Sequence, residues 1–488
     1  MECNFLGHTF STRFLICTLR KRDYADLQSG TWKTLMETVA QDARYMWETG
    51  VQSGCNPRYW GIVVGIIGDW PFLHKCAGFE RSFNNIQKKV RVRKAPVGIC
   101  HLCQAGQVDC PFEQIETRRP IWASTEFVQD PFAQPSPFTT QLLCVPGEEA
   151  GLFQFDWFHT MSLGVLKHYL GSVIALMSDQ EQQGSIDERF ASLSEKYRRW
   201  CHQNSERAFV MRLTKESINW ENRSTYPTGS LHRGALSTVL MKWVASRFAS
   251  ETFPNEPLLS LAADACAAIQ RCTRIIYRSG LWLEAGQCRL VAELGFQFLR
   301  RYSQMATMAK NDQRCFFIYQ PKIHSLHHFC MTLWKAHQRN TWAVNPLGFS
   351  CQQSEDFIGR PSRLARRVTP QTPVLRRIME RYLLRAYREF VRSRYLVRPG
   401  WDEYKHSEDL TTFNSLRSIS HSFKATSSTL SIMPRIQGVT WSTVGEENHL
   451  LQQLWGAWLK VANPWNLMKW KTSGFPRKPR VSTLTLYF

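Results

Sequence analysis

Two pairs of metal-ligating side chains lie far apart in this sequence. Cys100 and Cys103 form a CxxC pair, and His324 and His328 form an HxxxH pair much later in the chain. Residues four positions apart on a helix share a face, so the two histidines can bind one ion together. Two Cys and two His complete the tetrahedral ligand set of a structural zinc. The two pairs together therefore predict one zinc site.

The choice of zinc ligands stays open from the sequence alone. His327 offers an alternative spacing of three with His324, and Cys76, Cys110 and Cys351 compete as ligands. Unrelated buried thiols or packing histidines would also explain either pair taken on its own. A redox role for the CxxC lacks the βαβ context that such motifs usually have.

Three acids are candidates for catalytic metal chemistry. Asp69 follows an apolar run, and Glu355 and Asp356 follow the HxxxH pair, with Asp356 the weaker candidate. Phosphoryl transfer with two metal ions needs several carboxylates around ions about 3.5–4 Å apart, and Asp69 and Glu355 could supply two of them. The alternatives without chemistry are a turn-forming Asp and acids that stabilise a helix start.

The surrounding elements predict an α/β core that a helical segment interrupts. Residues 12–19 are apolar and β-branched, as in a strand, and residues 59–67 form the continuous apolar run of a central strand buried on both faces. Asp69 would then lie at the carboxyl end of that strand, where open α/β sheets bind ligands. Helical spacing of apolar residues predicts helices at these positions: 31–47, 186–203, 235–250, 257–278, 284–310, 373–394 and from about 352.

These patterns divide the chain into five parts. We predict a partial core with the CxxC at 1–103, a Pro-rich connector at 104–150, and a helical insertion ending in the HxxxH at 151–345. The helix with the third acid and an Arg-rich helix follow at 346–400, and a C-terminal extension of unknown role at 401–488. The C-terminal part is predicted to be α-helical.

The charge of the chain favours a polyanionic partner. The formal net charge is +21, and the isoelectric point is about 9.5, which is typical of nucleic-acid-binding proteins. The densest basic region has arginines at helical spacing, which suits contacts with phosphates. Its candidates for nucleic-acid binding are Arg360, Arg363, Arg366, Arg367, Arg376, Arg377, Arg381 and Arg385.

The cysteine content and hydropathy bear on the compartment. An odd number of cysteines, 15, is scattered along the chain, which is unlike the disulfide framework of a small secreted protein. No stretch reaches the roughly 18 consecutive apolar residues of a membrane span. We therefore predict a protein that is not secreted, has no transmembrane segment, and is nuclear, or cytoplasmic before import.

The order of the motifs resembles a known family. The order acid, CxxC, helical insertion, HxxxH, acid is similar to eukaryotic cut-and-paste DDE/D transposases and to the core of the V(D)J recombinase. The chain more closely resembles the Plavaka branch of the Kyakuja/Dileera/Zisupton (KDZ) transposase superfamily. The segments that carry the resemblance are GDWP at 68–71, CHLCQAG at 100–106, FDWFH at 155–159, LGVLKH at 163–168, QPKIH at 320–324 and SEDF at 354–357.

The resemblance implies a fold and an activity. The fold would be RNase H-like with a large helical insertion, and the four Cys and His ligands would bind structural zinc. Asp69 and Glu355 would bind catalytic Mg²⁺ or Mn²⁺. The reaction would be DNA strand cleavage followed by transfer of a 3′-hydroxyl to target DNA. The partners would be double-stranded DNA and a second copy of the chain, with no small-molecule substrate.

Because of two departures from the family pattern, the sequence leaves open whether the chain is an active enzyme. The strand with the first catalytic Asp precedes the Gly-Asp motif in the family, and its absence here predicts an N-terminally truncated, incomplete fold. Gln352 stands where the family often has an additional Glu. The alternatives are a catalytically inactive, co-opted or decayed DNA-binding protein, and a helical scaffold that binds RNA or an acidic protein.

Overall fold

A computed structural model of the protein describes Leu15 and residues 30–52, 58–86, 97–181, 184–209, 212–228, 234–366 and 377–385. The described residues belong to two compact units. One unit contains Val64–Glu355, and the other contains the described residues on either side of that range. The predicted extension at 401–488 lies outside the described residues.

Most of the described chain is helical. Short 3₁₀ turns occur at Phe83–Asn85, Ile121–Thr125, Glu149–Leu152, Glu216–Ile218 and Pro346–Phe349. Residues 377–385 are also helical. The α-helices are α1 (Thr31–Glu48), α2 (Trp70–Ala77), α3 (Pro137–Gln141), α4 (Trp157–Thr160), α5 (Leu166–Asp179), α6 (Ile186–Gln203), α7 (Gly234–Ser250), α8 (Pro257–Arg278), α9 (Ala285–Asn311), α10 (Pro321–Gln338) and α11 (Gln352–Ala365).

The helices of the predicted insertion are confirmed almost to the residue. Each has a stripe of apolar side chains, and α8, α9 and α10 pack side by side along those stripes. Tyr169 on the buried helix α5 donates a hydrogen bond of 2.6 Å to the carbonyl of Ala262 on α8. The predicted helical insertion is therefore a helical bundle with one continuous apolar core.

An α/β core is not seen in the described residues. The only sheet there pairs β1 (Trp282–Leu283) with β2 (Ala343–Val344) antiparallel. Residues 59–67, predicted as a central strand, contribute only isolated bridges. One feature of this run explains the difference. Trp60 and Ile62 are 54% and 42% exposed, so the run is not buried on both faces. The strand predicted at 12–19 lies outside the described residues except for Leu15.

One helical stretch passes a length and hydropathy test for a membrane span. Trp157–Asp179 comprises α4, a π-helical turn at Met161–Val165, and α5. However, 78% of its most apolar window is buried inside the protein, as in the core helix of a folded unit. The described residues therefore contain no clear transmembrane segment.

The π-helical turn brings α4 close to the start of α10. Gly164 lies in this turn, and a Cβ atom at this position would lie 2.5 Å from Cδ of Lys322 and 2.9 Å from the carbonyl oxygen of His159. A side chain larger than hydrogen would push the two helices apart. Such π-turns are frequent at functional sites, and this one contacts α10, the helix that carries His324 and His328.

Candidate functional site

The two histidines of the HxxxH pair lie on one face of α10. The helix begins at Pro321, whose fixed φ and missing N–H suit the first helical position. His324 and His328 follow within the first two turns and are 0% and 2% exposed. The predicted helical geometry of the pair is confirmed.

The CxxC pair lies in a tight loop that backbone hydrogen bonds close. The amide of Ile99 donates to the carbonyl of Ala105 at 2.9 Å, and the amide of Leu102 donates to Sγ of Cys100 at 3.3 Å. The guanidinium of Arg81, 2% exposed, donates to the carbonyl of Cys103 at 2.9 Å. These contacts hold both thiols toward the interior of the protein.

The four predicted zinc ligands form one buried cluster. Their ligand atoms all lie within 4.8 Å of one another. Nε2 of His328 lies 3.4 Å from both Sγ atoms, of Cys100 and of Cys103, and Nε2 of His324 lies 3.4 Å from Sγ of Cys103. The two Nε2 atoms are 3.1 Å apart. The structure therefore selects this ligand set among the alternatives.

The spacing of the four atoms fits a tetrahedral metal ion. Ligand bonds of about 2.3 Å for sulfur and about 2.05 Å for nitrogen give edges of roughly 3.6 Å between sulfur and nitrogen and 3.3 Å between nitrogens. The observed separations of 3.4 Å and 3.1 Å are close to these values. The cluster can therefore hold a metal ion, and its chemistry is compatible with structural zinc.

A carboxylate outside the cluster orients one of its histidines. Nδ1 of His328 lies 3.4 Å from Oε1 of Glu126, and Oε2 of Glu126 forms an ion pair with Lys335, about two helical turns further along α10. Metal-binding histidines almost always donate their second ring N–H in this way, which fixes the ring and its tautomer. Glu126 has no motif in the sequence and lies in the connector, so sequence analysis missed it.

The ionisation of the cluster is strongly perturbed. Burial opposes ionisation of the Cys100 thiol, but a hydrogen bond with Cys103 and the charges of His328 and His324 hold its pKa well below the usual value. Burial and the Cys100 charge raise the pKa of Cys103. Burial alone would lower the pKa of His328, but Cys100 and Glu126 raise it to about 9. The cluster already favours a thiolate, the form that binds metals.

The competing ligands lie elsewhere. His327 faces the rings of Trp122 and Phe296 at 4.9 Å and 5.8 Å, and burial lowers its pKa to about 3. Cys76, Cys110 and Cys351 do not belong to the cluster. None of these residues contributes a ligand atom to the four-residue cluster.

The three predicted catalytic acids have different surroundings. Asp69 is exposed and caps α2, accepting a hydrogen bond of 2.9 Å from the amide of Phe72. Glu355, in the first turn of α11, has a side chain that is 54% exposed. Asp356 forms an ion pair of 3.0 Å with Arg360 on the same helix. Asp69 and Glu355 thus lie open to solvent, whereas Asp356 is partly neutralised.

The charges of Asp69 and Glu355 both raise the pKa of the Cys351 thiol. Burial is the largest cause that raises the pKa of this thiol well above its usual value, followed by the charge of Asp156 and a hydrogen bond with it, then the charges of Glu355 and Asp69. The backbone amide of Cys351 also donates to Oδ1 of Asp156 at 2.8 Å. Asp156 therefore contacts Cys351 directly, whereas Asp69 and Glu355 influence its thiol through their charges.

The predicted arginines fall into three groups. Arg360 and Arg377 are half-buried and pair with Asp356 and Glu380. The arginines that lie outside the described residues are Arg367 and Arg376. The arginines with exposed positions are Arg363, Arg366, Arg381 and Arg385.

Comparison of the chain with protein-family models, curated proteins and solved structures finds no match.

The contact between Glu126 and His328 generates a testable prediction. We expect Glu126→Gln to lower the affinity of the cluster for Zn²⁺ by about 10–100-fold, because the ring loses its charged hydrogen-bond acceptor. Competition with a chromophoric chelator measures this affinity. Glu113→Gln, at an exposed position of the same connector, is the control and should bind like wild type. Equal affinities of both variants would contradict the orienting role of Glu126.

Proposed function

We propose that the Cys100, Cys103, His324 and His328 cluster holds a structural zinc ion. Thiolate and imidazole ligands select zinc over Mg²⁺ or Ca²⁺. Four protein ligands leave no open position for water or substrate, which is the arrangement of structural zinc sites and not of catalytic ones. The four ligands are almost completely buried, which also agrees with a role in stability.

For the whole chain we propose a transposase-like function of the DDE/D type, that is, cleavage and transfer of DNA strands. The observation that carries the proposal is a chain of contacts: the segment before Asp69 pairs with the segment before Asp156 at Ile66 and Phe153, and Asp156 binds the amide of Cys351, one helical turn before Glu355. The order of the motifs and the resemblance to Plavaka-like transposases give the same assignment. An RNase H-like core is part of this proposal.

In this reaction, some residues of the chain would bind metal ions and others would bind DNA. Bound divalent ions, Mg²⁺ or Mn²⁺, would supply the Lewis-acid chemistry of phosphoryl transfer. Asp69 and Glu355 carry the negative charge that holds such ions, and their exposure gives a DNA phosphate access. Arg363, Arg366 and the excess positive charge of the chain would bind the DNA backbone. The proposal also includes a dimer of the chain, which binds double-stranded DNA in the nucleus.

A second candidate is a DNA-binding protein without catalysis. The observation that favours it concerns Gln352, where the transposases that the chain resembles often carry a further acid. Gln352 is neutral, and its side-chain oxygen accepts a hydrogen bond of 3.0 Å from the hydroxyl of Tyr277, so this position adds no charge beside Glu355. A helical scaffold for RNA or for an acidic protein is a third candidate, and it has no need of zinc.

The zinc proposal predicts the metal content of the protein. We expect about one zinc ion per chain, and its loss when His324 and His328 are both replaced by Ala. The melting midpoint should fall by about 10 °C or more, because loss of a structural metal costs several kcal/mol and a domain of this size shifts by about 2 °C or more per kcal/mol. Elemental analysis and calorimetry measure the two effects.

His327→Ala is the matched control for loss of buried histidine volume. It removes a buried histidine of the same helix that is not a ligand, so zinc content should stay at the wild-type value. Zinc retained in the double variant, or lost in the control, would show that the ligand set is wrong.

The transposase proposal predicts nicking of DNA. We expect the zinc-loaded protein to nick and join supercoiled plasmid with Mn²⁺ or Mg²⁺, and Asp69→Asn or Glu355→Gln to reduce the rate by at least about 100-fold, since metal ligands matter more than their outer partners. Asn still caps a helix, so Asp69→Asn removes the charge without losing the cap of α2.

Glu195→Gln, at an exposed position of α6, is the control for loss of a carboxylate. DNA binding by all these proteins with no nicking by any of them would favour the second candidate. Absence of both binding and nicking would favour the scaffold.

A further inference from the structure

Asp69 and Asp156 occupy equivalent positions on two adjacent chain segments. Ile66 and Phe153 form a parallel bridge, with the amide of Ile66 donating to Leu152 at 2.8 Å and the amide of Gln154 donating to Ile66 at 2.9 Å. Asp69 follows Ile66 by three positions, and Asp156 follows Phe153 by three positions. The two acids therefore follow the bridge at the same distance along their segments.

Both segments end in the same way. Asp69 caps α2 and Asp156 caps α4, each accepting a hydrogen bond from a backbone amide of the following helix. Oδ2 of Asp156 also accepts a hydrogen bond from Nδ1 of His159. The aspartate, with a side chain only 3% exposed, thereby fixes the ring of His159 and leaves Nε2 as the free ring nitrogen.

The free nitrogen of His159 faces Glu355. Nε2 lies 4.0 Å from Oε1 of Glu355, and the His159 side chain is 25% exposed. Two ligands of one ion, each about 2.1 Å from it, lie roughly 3–4.2 Å apart. The gap between the two side chains therefore accommodates an ion that both would bind. A carboxylate behind an imidazole is also the usual support of a metal-binding histidine.

We infer that His159 and Glu355 form a second metal site, which takes a divalent transition-metal ion such as Mn²⁺. Asp156 acts as a positioning residue, because it holds His159 in the tautomer that presents Nε2. Mg²⁺ prefers oxygen ligands and keeps several waters, whereas imidazole is a common ligand of transition-metal ions. The inference rests on the proposed function, because Glu355 is also one of the acids proposed to hold the catalytic ions.

Binding of Mn²⁺ to the full-length, zinc-loaded protein tests the inference. Zinc holds the Cys and His cluster against Mn²⁺, because Mn²⁺ is the weakest binder in the series of divalent metals. Electron paramagnetic resonance should detect one bound Mn²⁺ that excess Mg²⁺ does not displace. His159→Ala and Glu355→Gln should each raise the dissociation constant at least about tenfold, the lower end of the effect of outer-shell partners.

His202→Ala is the matched control, since His202 is an exposed histidine of α6 that belongs to neither cluster. It should bind Mn²⁺ like wild type. Wild-type affinity in His159→Ala, or no Mn²⁺ binding by the zinc-loaded wild-type protein, would overturn the inference. Glu355→Gln changes an exposed side chain, so it keeps the test decisive if the His159 variant fails to fold.

The same proteins in the plasmid assay separate this inference from the proposed function. Mn²⁺ bound through His159 without any nicking would keep the site and refute the transposase function. Nicking that depends on Asp69, combined with Mn²⁺ affinity that is unchanged in His159→Ala, would keep the function and refute the site.

Discussion

The contacts among four buried ligands join parts of the chain that are more than 220 residues apart. Cys103 and His324 are 221 positions apart, and Cys100 and His328 are 228 apart. The entropic cost of closing a loop grows only with the logarithm of its length, so one strong link can close a loop of this size. Two thiols and two imidazoles buried without a metal would cost free energy, because too few partners satisfy them. Nδ1 of His324, for example, has no hydrogen-bond partner among the described residues.

A second link joins the start and the end of the helical insertion. Asp156 precedes the first helix of the insertion, Cys351 follows its last, and the amide of Cys351 donates to the carboxylate of Asp156 at 2.8 Å. The Cys and His contacts fix α10 against the CxxC loop, and this hydrogen bond fixes the chain that leaves α10. Asp156 also holds His159. One buried carboxylate therefore closes the insertion and sets the position of a side chain that faces Glu355.

Some of this arrangement is predictable from the sequence, and the reasons are physical. The HxxxH pair and the long helices follow from local spacing, which is why the helix bounds and the clustering of the four Cys and His residues agree with prediction. The strand predicted at 59–67 fails because an apolar run does not specify its pairing partners, and Trp60 and Ile62 remain exposed. Glu126 could not be predicted, because its role depends on the tertiary contact with His328.

Contacts of neighbouring buried residues explain how the exposed acids are positioned. Glu355 and Asp69 are exposed, so their own packing cannot hold them in place. Glu355 follows Cys351 by one helical turn, and the bridge between Ile66 and Phe153 holds the segment before Asp69. Each acid is thus attached to a buried residue that Asp156 or the bridge fixes.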